Sequence, residues 1–270
     1  MVPRLKDILD ILEEMAPSRT AEDWDNPGLQ VGDSSKEVKK VFVSVDPTLE
    51  AVMEASRRKA QLLLTHHPLI FRSLSQLNQE IYPGNVIYEA FKRGVSVATA
   101  HTNLDVMPGG INDLLANLFD LQDVEVLQRG DKNNAEDNTG LGRIGNLQKP
   151  MRLSTMVGAV KAVLRTQNVK VVGSKTSIIR RVAVVGGSGG GMIARAASMG
   201  ADLLITGDVT HHEALAAEEL GMALIDGGHF HTEKAALMLF ADQFRQRLRQ
   251  LGWDVLVERF DEERDPMRYE

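Results

Sequence analysis

At 270 residues with 43% hydrophobic side chains, the chain is long enough for one large domain or two smaller ones, and with aromatics at 5% the core must be aliphatic. Thirty-one basic against 37 acidic residues leave a net charge of -6, which argues against a general nucleic-acid binder, and zero cysteines exclude disulfides and thiolate metal ligands. No apolar stretch reaches the roughly 18 to 20 residues that span a bilayer, and the N-terminus lacks the apolar core of a signal peptide, so the expectation is a soluble cytoplasmic protein with no membrane partner.

Residues 5–15 place Leu5, Ile8, Leu9, Ile11, Leu12 and Met15 on one helical face, and Pro17 marks its end. A polar loop follows, Glu22-Asp23-Trp24-Asp25-Asn26-Pro27-Gly28. Val41–Val45 then reads as a buried strand, residues 48–59 as a helix, Leu62–Thr65 as a strand, residues 85–93 as a helix and Val95–Ala100 as a strand. Residues 129–140 are polar and aperiodic, which predicts a mobile surface loop and a boundary between halves 1–128 and 129–270. A short strand, a helix over 154–165 and a strand near Val169–Val172 come next. The remainder alternates again: strand Val182–Val185, a glycine loop, a helix near 192–199, strand Leu203–Thr206, a helix over 212–220, strand Met222–Ile225, a helix over 232–250 and strand Asp254–Arg259. Short apolar runs separated by amphipathic helices predict an α/β fold with mostly parallel sheets flanked by helices.

The order of elements is used twice. Shifted by 141 residues, Lys40-Val41-Phe42-Val43 falls on Arg181-Val182-Ala183-Val184, and Leu62-Leu63-Leu64-Thr65 on Leu203-Leu204-Ile205-Thr206. A shift of 128 puts His101 on His229 and Asp105 on Glu233. The last match lies outside the apolar pattern, so it predicts two related α/β halves rather than two generic βαβ units.

All seven histidines fall in short clusters. His66-His67 follows a buried strand, and adjacent residues there are expected to point to different sides, one imidazole for each of two ions. Asp105 and Glu233 are read as the carboxylates that bridge or share the cations, and His229 as a terminal ligand one helical turn before Glu233. Bland alternatives stand beside these: a hydrogen-bonded core histidine in the doublet, a turn residue at Asp105 and a helix N-terminal acid at Glu233. His101 is either a ligand, by symmetry with His229, or a group that orients Asp105. The pair His211-His212 is read as the displaced counterpart of His66-His67, and serves either as a proton-transfer group, with His212 and His101 the candidate catalytic residues, or as a surface cap. Gly186 to Gly191 suits either a phosphate cradle or a tight turn that allows close packing. Trp24 offers a stacking face or, more simply, anchors its loop in the core.

Five segments carry a resemblance: Trp24-Asp25-Asn26-Pro27-Gly28-Leu29-Gln30-Val31-Gly32, Thr65-His66-His67-Pro68, His101-Thr102-Asn103-Leu104-Asp105, Gly140-Leu141-Gly142-Arg143-Ile144-Gly145 and Gly228-His229-Phe230-His231-Thr232-Glu233. Together they resemble the GTP cyclohydrolase 1 type 2 homologue family, also described as NGG-one-interacting-factor-three-like. The resemblance implies two interlocked α/β halves in a three-layer α/β/α arrangement, a toroidal homohexamer, and a dinuclear metal site of His66, His67, Asp105, His229 and Glu233. It also implies that His101 lies behind the ligands. Longer members carry an inserted domain, for which this chain has no room.

The expected function is a metal-dependent hydrolase in which two divalent ions activate water for attack on a small-molecule substrate, with a purine nucleotide the candidate. Zinc, iron, manganese or nickel would suit imidazole and carboxylate donors. The alternatives are a metal-binding or metallocofactor-delivery protein without turnover, and a ring that binds nucleic acid, which the acidic balance disfavours.

Overall fold

The computed structural model describes residues 2–130, 138–268 and 270. The chain forms two compact units, one of Met1–Leu104 with Leu237–Arg264, the other of Asp105–Ala236 with Asp265–Glu270.

The first unit opens with α1 (Leu5–Met15), whose expected apolar face buries Leu5, Ile8, Ile11 and Leu12. An edge strand β1 (Gly28–Val31) and β2 (Lys40–Ser44) follow, then α2 (Leu49–Arg57), capped by Thr48 Oγ1, which accepts from Ala51 N at 3.0 Å. β3 (Leu62–Thr65), α3 (Gly84–Arg93) and β4 (Ser96–Thr99) complete the alternation, and α4 (Thr102–Val106) carries the division at Leu104. The second unit contains α5 (Ile111–Leu118), β5 (Gln122–Arg129), β6 (Gly140–Arg152), α6 (Leu153–Leu164), β7 (Lys170–Val172), β8 (Ile178–Ser188), α7 (Ile193–Ser198), β9 (Leu203–Gly207), α8 (His211–Glu219) and β10 (Ala223–Asp226). The long α9 (His229–Gln250) contains the second division, and β11 (Leu256–Arg259) belongs to the first unit.

The first sheet has the order β1-β4-β3-β2-β11, the second β5-β6-β8-β9-β10-β7. Strands β2, β3 and β4 are mutually parallel, as are β8, β9 and β10, and each trio is edged by one antiparallel strand, β1 on β4 and β7 on β10. The pairing register repeats too: Val41 faces Leu62 and Phe42 faces Leu63, while Val182 faces Leu203 and Ala183 faces Leu204. This is the two-fold use of one α/β frame that the sequence predicts. Beyond the shared frame, the first sheet adds β11 parallel to β2 and the second adds the antiparallel pair β6 and β5, so the second sheet is more antiparallel than expected.

The predicted loop at 129–140 joins two paired strands, with Gln128 opposite Leu141 and Arg129 opposite Gly140. The strands that flank it, β5 and β6, are therefore antiparallel neighbours within one sheet. Residues 131–137 lie outside the described residues, and with them the expected mobile loop. The compact units follow the sheets, not the halves 1–128 and 129–270. β1 and β5 had no sequence signature because one is a four-residue edge strand and the other is exposed along most of its length.

Candidate metal centre

In the first unit the chain continues past the end of β3, and His67 N still reaches Val45 O at 2.9 Å. Thr65 Oγ1 donates to His67 O at 2.7 Å and meets Thr99 Oγ1 at 3.0 Å, which pins the doublet to the neighbouring strand. His66 is fully buried and its Nδ1 lies 2.9 Å from Ala100 O. His67 is half-buried, with Nδ1 2.8 Å from Asp46 Oδ1. Glu263 in turn holds Asp46 in place, its two oxygens accepting from Val45 N and Asp46 N at 2.9 Å each.

His101 sits just past β4. Its Nδ1 is 2.8 Å from Asp25 Oδ1, and the other Asp25 oxygen accepts from Thr102 N at 3.0 Å and from Thr102 Oγ1. Burial acts to raise the Asp25 carboxyl, but hydrogen bonds from His101 and Thr102 and the His101 charge more than offset it and hold it at about 2. The three rings form a triangle with centroid separations of 5.3 Å (His66 to His67), 5.2 Å (His66 to His101) and 5.5 Å (His67 to His101), and one nitrogen of each lies within 4.8 Å of the others. The doublet therefore does not splay to opposite sides. It lies beyond β3, where the strand's alternation no longer applies. His101, expected behind the ligands, brings one nitrogen within 4.8 Å of a nitrogen of each doublet ring, so the three could hold an ion together.

In the second unit His229 opens α9 and Glu233 lies one turn on, buried, with Oε1 3.0 Å from His229 Nε2. His229 Nδ1 is 2.7 Å from Asp208 Oδ2. Two glycines bring the backbone close to this pair. Gly207 lies against the backbone of His229, where a Cβ would strike the amide nitrogen, and Gly187 adopts φ +65° with its Cβ direction aimed at the Glu233 carboxylate. Gly187 N also donates to Thr232 Oγ1 at 3.0 Å. This is the close-packing role of the glycine stretch, and β8 runs through Gly186 and Gly187 as strand. Asp105, half-buried on α4, has its carbonyl tied by Asn112 Nδ2 at 2.9 Å, and Asn112 Oδ1 accepts from Gly186 N at 2.9 Å.

A common pattern runs through His66, His67, His101 and His229. Each has Nδ1 against an acceptor, three carboxylates and one carbonyl, which places the proton on Nδ1 and assigns coordination to Nε2. With Nδ1 engaged on each ring, Nε2 is the nitrogen that His66, His67 and His101 each offer to a cation, and one nitrogen of each lies within 4.8 Å of the others. The donor set therefore fits a divalent metal of the nitrogen- and oxygen-preferring kind.

Other predicted residues lie elsewhere. His211 and His212 are exposed at the start of α8, their rings 5.5 Å apart, and among the described residues no convergent set of three donors includes either of them or Asp105. At the shift of 141, the counterparts of His66 and His67 are Gly207 and Asp208, which support His229 instead of duplicating the doublet. His231 is half-buried, 3.6 Å from Asp265, and burial pushes its imidazole pKa down. Trp24 is 57% exposed, so it does not anchor its loop in the core. Sequence reasoning missed Asp46 and Asp208 as histidine partners. The available signal was an acid one or two residues beyond a buried strand, in Ser44-Val45-Asp46 and Thr206-Gly207-Asp208.

Fold and site define a class: an α/β protein of two similar units whose strand ends carry imidazole and carboxylate side chains able to chelate metal ions. The chain belongs to the Duf34/NIF3 (NGG1p interacting factor 3) family, whose sequence profile matches residues 3–266. It is 35% identical over 245 residues to a GTP cyclohydrolase 1 type 2 homolog from Clostridium perfringens, an alignment that covers 91% of this chain and 92% of the relative. It is 32% identical over 238 residues to the GTP cyclohydrolase 1 type 2 of Helicobacter pylori, covering 88% and 90%. The crystal structure of a Bacillus cereus protein related to NIF3 superposes with a TM-score of 0.94 at 26% identity over 100% of both chains. Among the described residues, no helix is long and apolar enough to cross a membrane.

Proposed function

We propose that this protein is a metal-dependent hydrolase that acts on a small-molecule substrate of the purine nucleotide class. The observation that carries the reading is the Nδ1 anchoring of four imidazoles, which fixes their coordinating edges before any metal arrives. His66, His67, Asp105, His229 and Glu233 would hold two divalent ions, with His101 as a further donor beside the doublet. Ions in such a site would polarise the electrophile and activate water at neutral pH. Asp25, Asp46 and Asp208 keep the rings aimed, and Gly187 lets the backbone approach the Glu233 carboxylate. The nucleotide preference is supported by the name of the Helicobacter pylori relative. A homohexameric ring in the cytoplasm is part of the same proposal, read from the family resemblance.

Elemental analysis of the purified protein, followed by a nucleotide hydrolysis screen with each candidate metal, tests the reading. Two ions per chain and release of a ring-opened purine product are expected, with Asp105→Ala losing both metal and activity. Bound metal with no turnover on any nucleotide would sink the hydrolase and leave a metal-delivery protein. His212→Ala tests the proton-moving role proposed for that residue: slower turnover with unchanged metal content is expected. Light scattering reads the subunit count.

A further inference from the structure

The polar side of the three-imidazole cluster is accounted for by its hydrogen bonds. Its other flank is aromatic. Trp24 makes an edge-on contact with His101 at 5.9 Å between centroids and another with Phe71 at 5.7 Å, yet Trp24 is 57% and Phe71 46% exposed. The backbone beneath these rings is fastened. Asn26 Nδ2 donates to Ile70 O at 2.6 Å, Ile70 N donates to Gln30 Oε1 at 2.7 Å, and Gln30 Nε2 donates to Asn26 O at 2.5 Å. Asp25, between Trp24 and Asn26, grips His101 and Thr102. Three consecutive residues thus act together on one flank. Asp25 orients a donor imidazole, Asn26 locks the neighbouring segment, and Trp24 presents a ring. An indole held this firmly and left open to solvent forfeits the burial that normally rewards a tryptophan.

We propose that Trp24 and Phe71 form a stacking platform for the planar base of a purine nucleoside or nucleotide, seated against the first unit's imidazole cluster. His101 already lies 5.9 Å from the indole centroid, so a base stacked on Trp24 would be a neighbour of the imidazole, and a ligand with a π-face and a polar ring edge suits both flanks. A purely aliphatic or sugar-phosphate ligand would use neither ring. This deepens the hydrolase reading and rests on it for the choice of purine, while the platform itself stands on the geometry of Trp24, Phe71 and His101.

The chain has two tryptophans, so a Trp253→Phe background leaves Trp24 as the sole indole reporter. Zinc-loaded protein in this background is titrated with GTP, guanosine and ribose 5-phosphate, and zinc content is measured in parallel. GTP and guanosine are expected to quench Trp24 emission, and ribose 5-phosphate to leave it unchanged. By calorimetry on otherwise native protein, Trp24→Ala should weaken guanosine binding at least about fivefold, the lower end of the effect of removing one base-stacking ring. Zinc content should stay unchanged, and Trp24→Phe should retain most of the affinity. Equal quenching by ribose 5-phosphate, undiminished guanosine binding in Trp24→Ala, or no binding of either guanine compound overturns the platform. Base-dependent quenching without turnover would sink the hydrolase and keep the platform. Turnover with no base-dependent quenching would do the reverse.

Discussion

The two compact units share a four-strand frame and differ in what they place at its tips. β1-β4-β3-β2 and β7-β10-β9-β8 have the same strand directions and the same register across their central pairs. At the ends of the equivalent strands, however, the first unit carries His66 and His67 where the second carries Gly207 and Asp208, and Asp46 where the second carries Gly187. One copy of the frame presents a triangle of imidazoles. The other presents a single imidazole and a buried acid, with a glycine and an aspartate that hold them. A duplicated scaffold preserves the positions where ligands belong but leaves their chemistry free to diverge. The reason is that strand ends contribute side chains to the site while the apolar strand interiors contribute only packing.

Removal of the largest buried cation should expose the difference in stability between the frames. Arg143 is 2% exposed in the second unit, paired with Asp113 and donating from Nη1 to Gly140 O at 2.7 Å and Gly142 O at 2.8 Å. Arg143→Ala is expected to cost about 3 kcal/mol or more in denaturant unfolding. Amide exchange should accelerate in β5, β6 and β8 while β2 and β3 stay protected; uniform acceleration would mean that the units unfold as one. The next effect concerns the histidine partners. Asp46→Ala and Asp208→Ala should each lower metal affinity about 10- to 100-fold by calorimetry. A loss confined to one of them would show that only one unit holds metal.

Gly187→Ala should follow, at about 1 to 3 kcal/mol of stability. The new methyl group meets the Glu233 carboxylate at a backbone φ of +65°, so thermal unfolding and metal content should fall together. The smallest effect is pH-dependent and belongs to the first unit. Glu54 on α2 is hydrogen-bonded by Arg57, and that bond, opposed by burial and joined by Arg58, lowers its carboxyl from 4.5 to about 2. A depressed folded pKa contributes stability above the ordinary value and loses it as pH falls toward about 2. Glu54→Gln should therefore destabilise by no more than about 1 kcal/mol at pH 7, and the difference should shrink as pH falls below the ordinary carboxyl range and vanish once it passes below about 2. A constant difference across that range would mean that the ion pair is not the cause.

Much of the frame was legible in the chain. Leu62–Thr65 was placed to the residue, and α1, α3 and β4 to within a position or two, because buried strands and amphipathic helices write their burial into apolar spacing. The edge elements were not, since Gln122–Arg129 is mostly exposed and has no apolar rhythm. Site residues were legible as residue types: imidazoles and acids clustered beyond strand ends have few bland uses. Their partners were less so. Asp25 stands 76 positions from His101, and nothing in local spacing links them.

The sequence by itself determined the duplicated α/β order, the family and the candidate metal donors, because these depend on local periodicity and on the chemistry of single side chains. Only the tertiary structure decided that His101 faces the doublet, that Gly207 and Asp208 take the place of a second doublet, and that Trp24 stands open beside the cluster. Those outcomes depend on which strand tips and loops meet in space, and pairing between distant segments leaves no periodic trace along the chain.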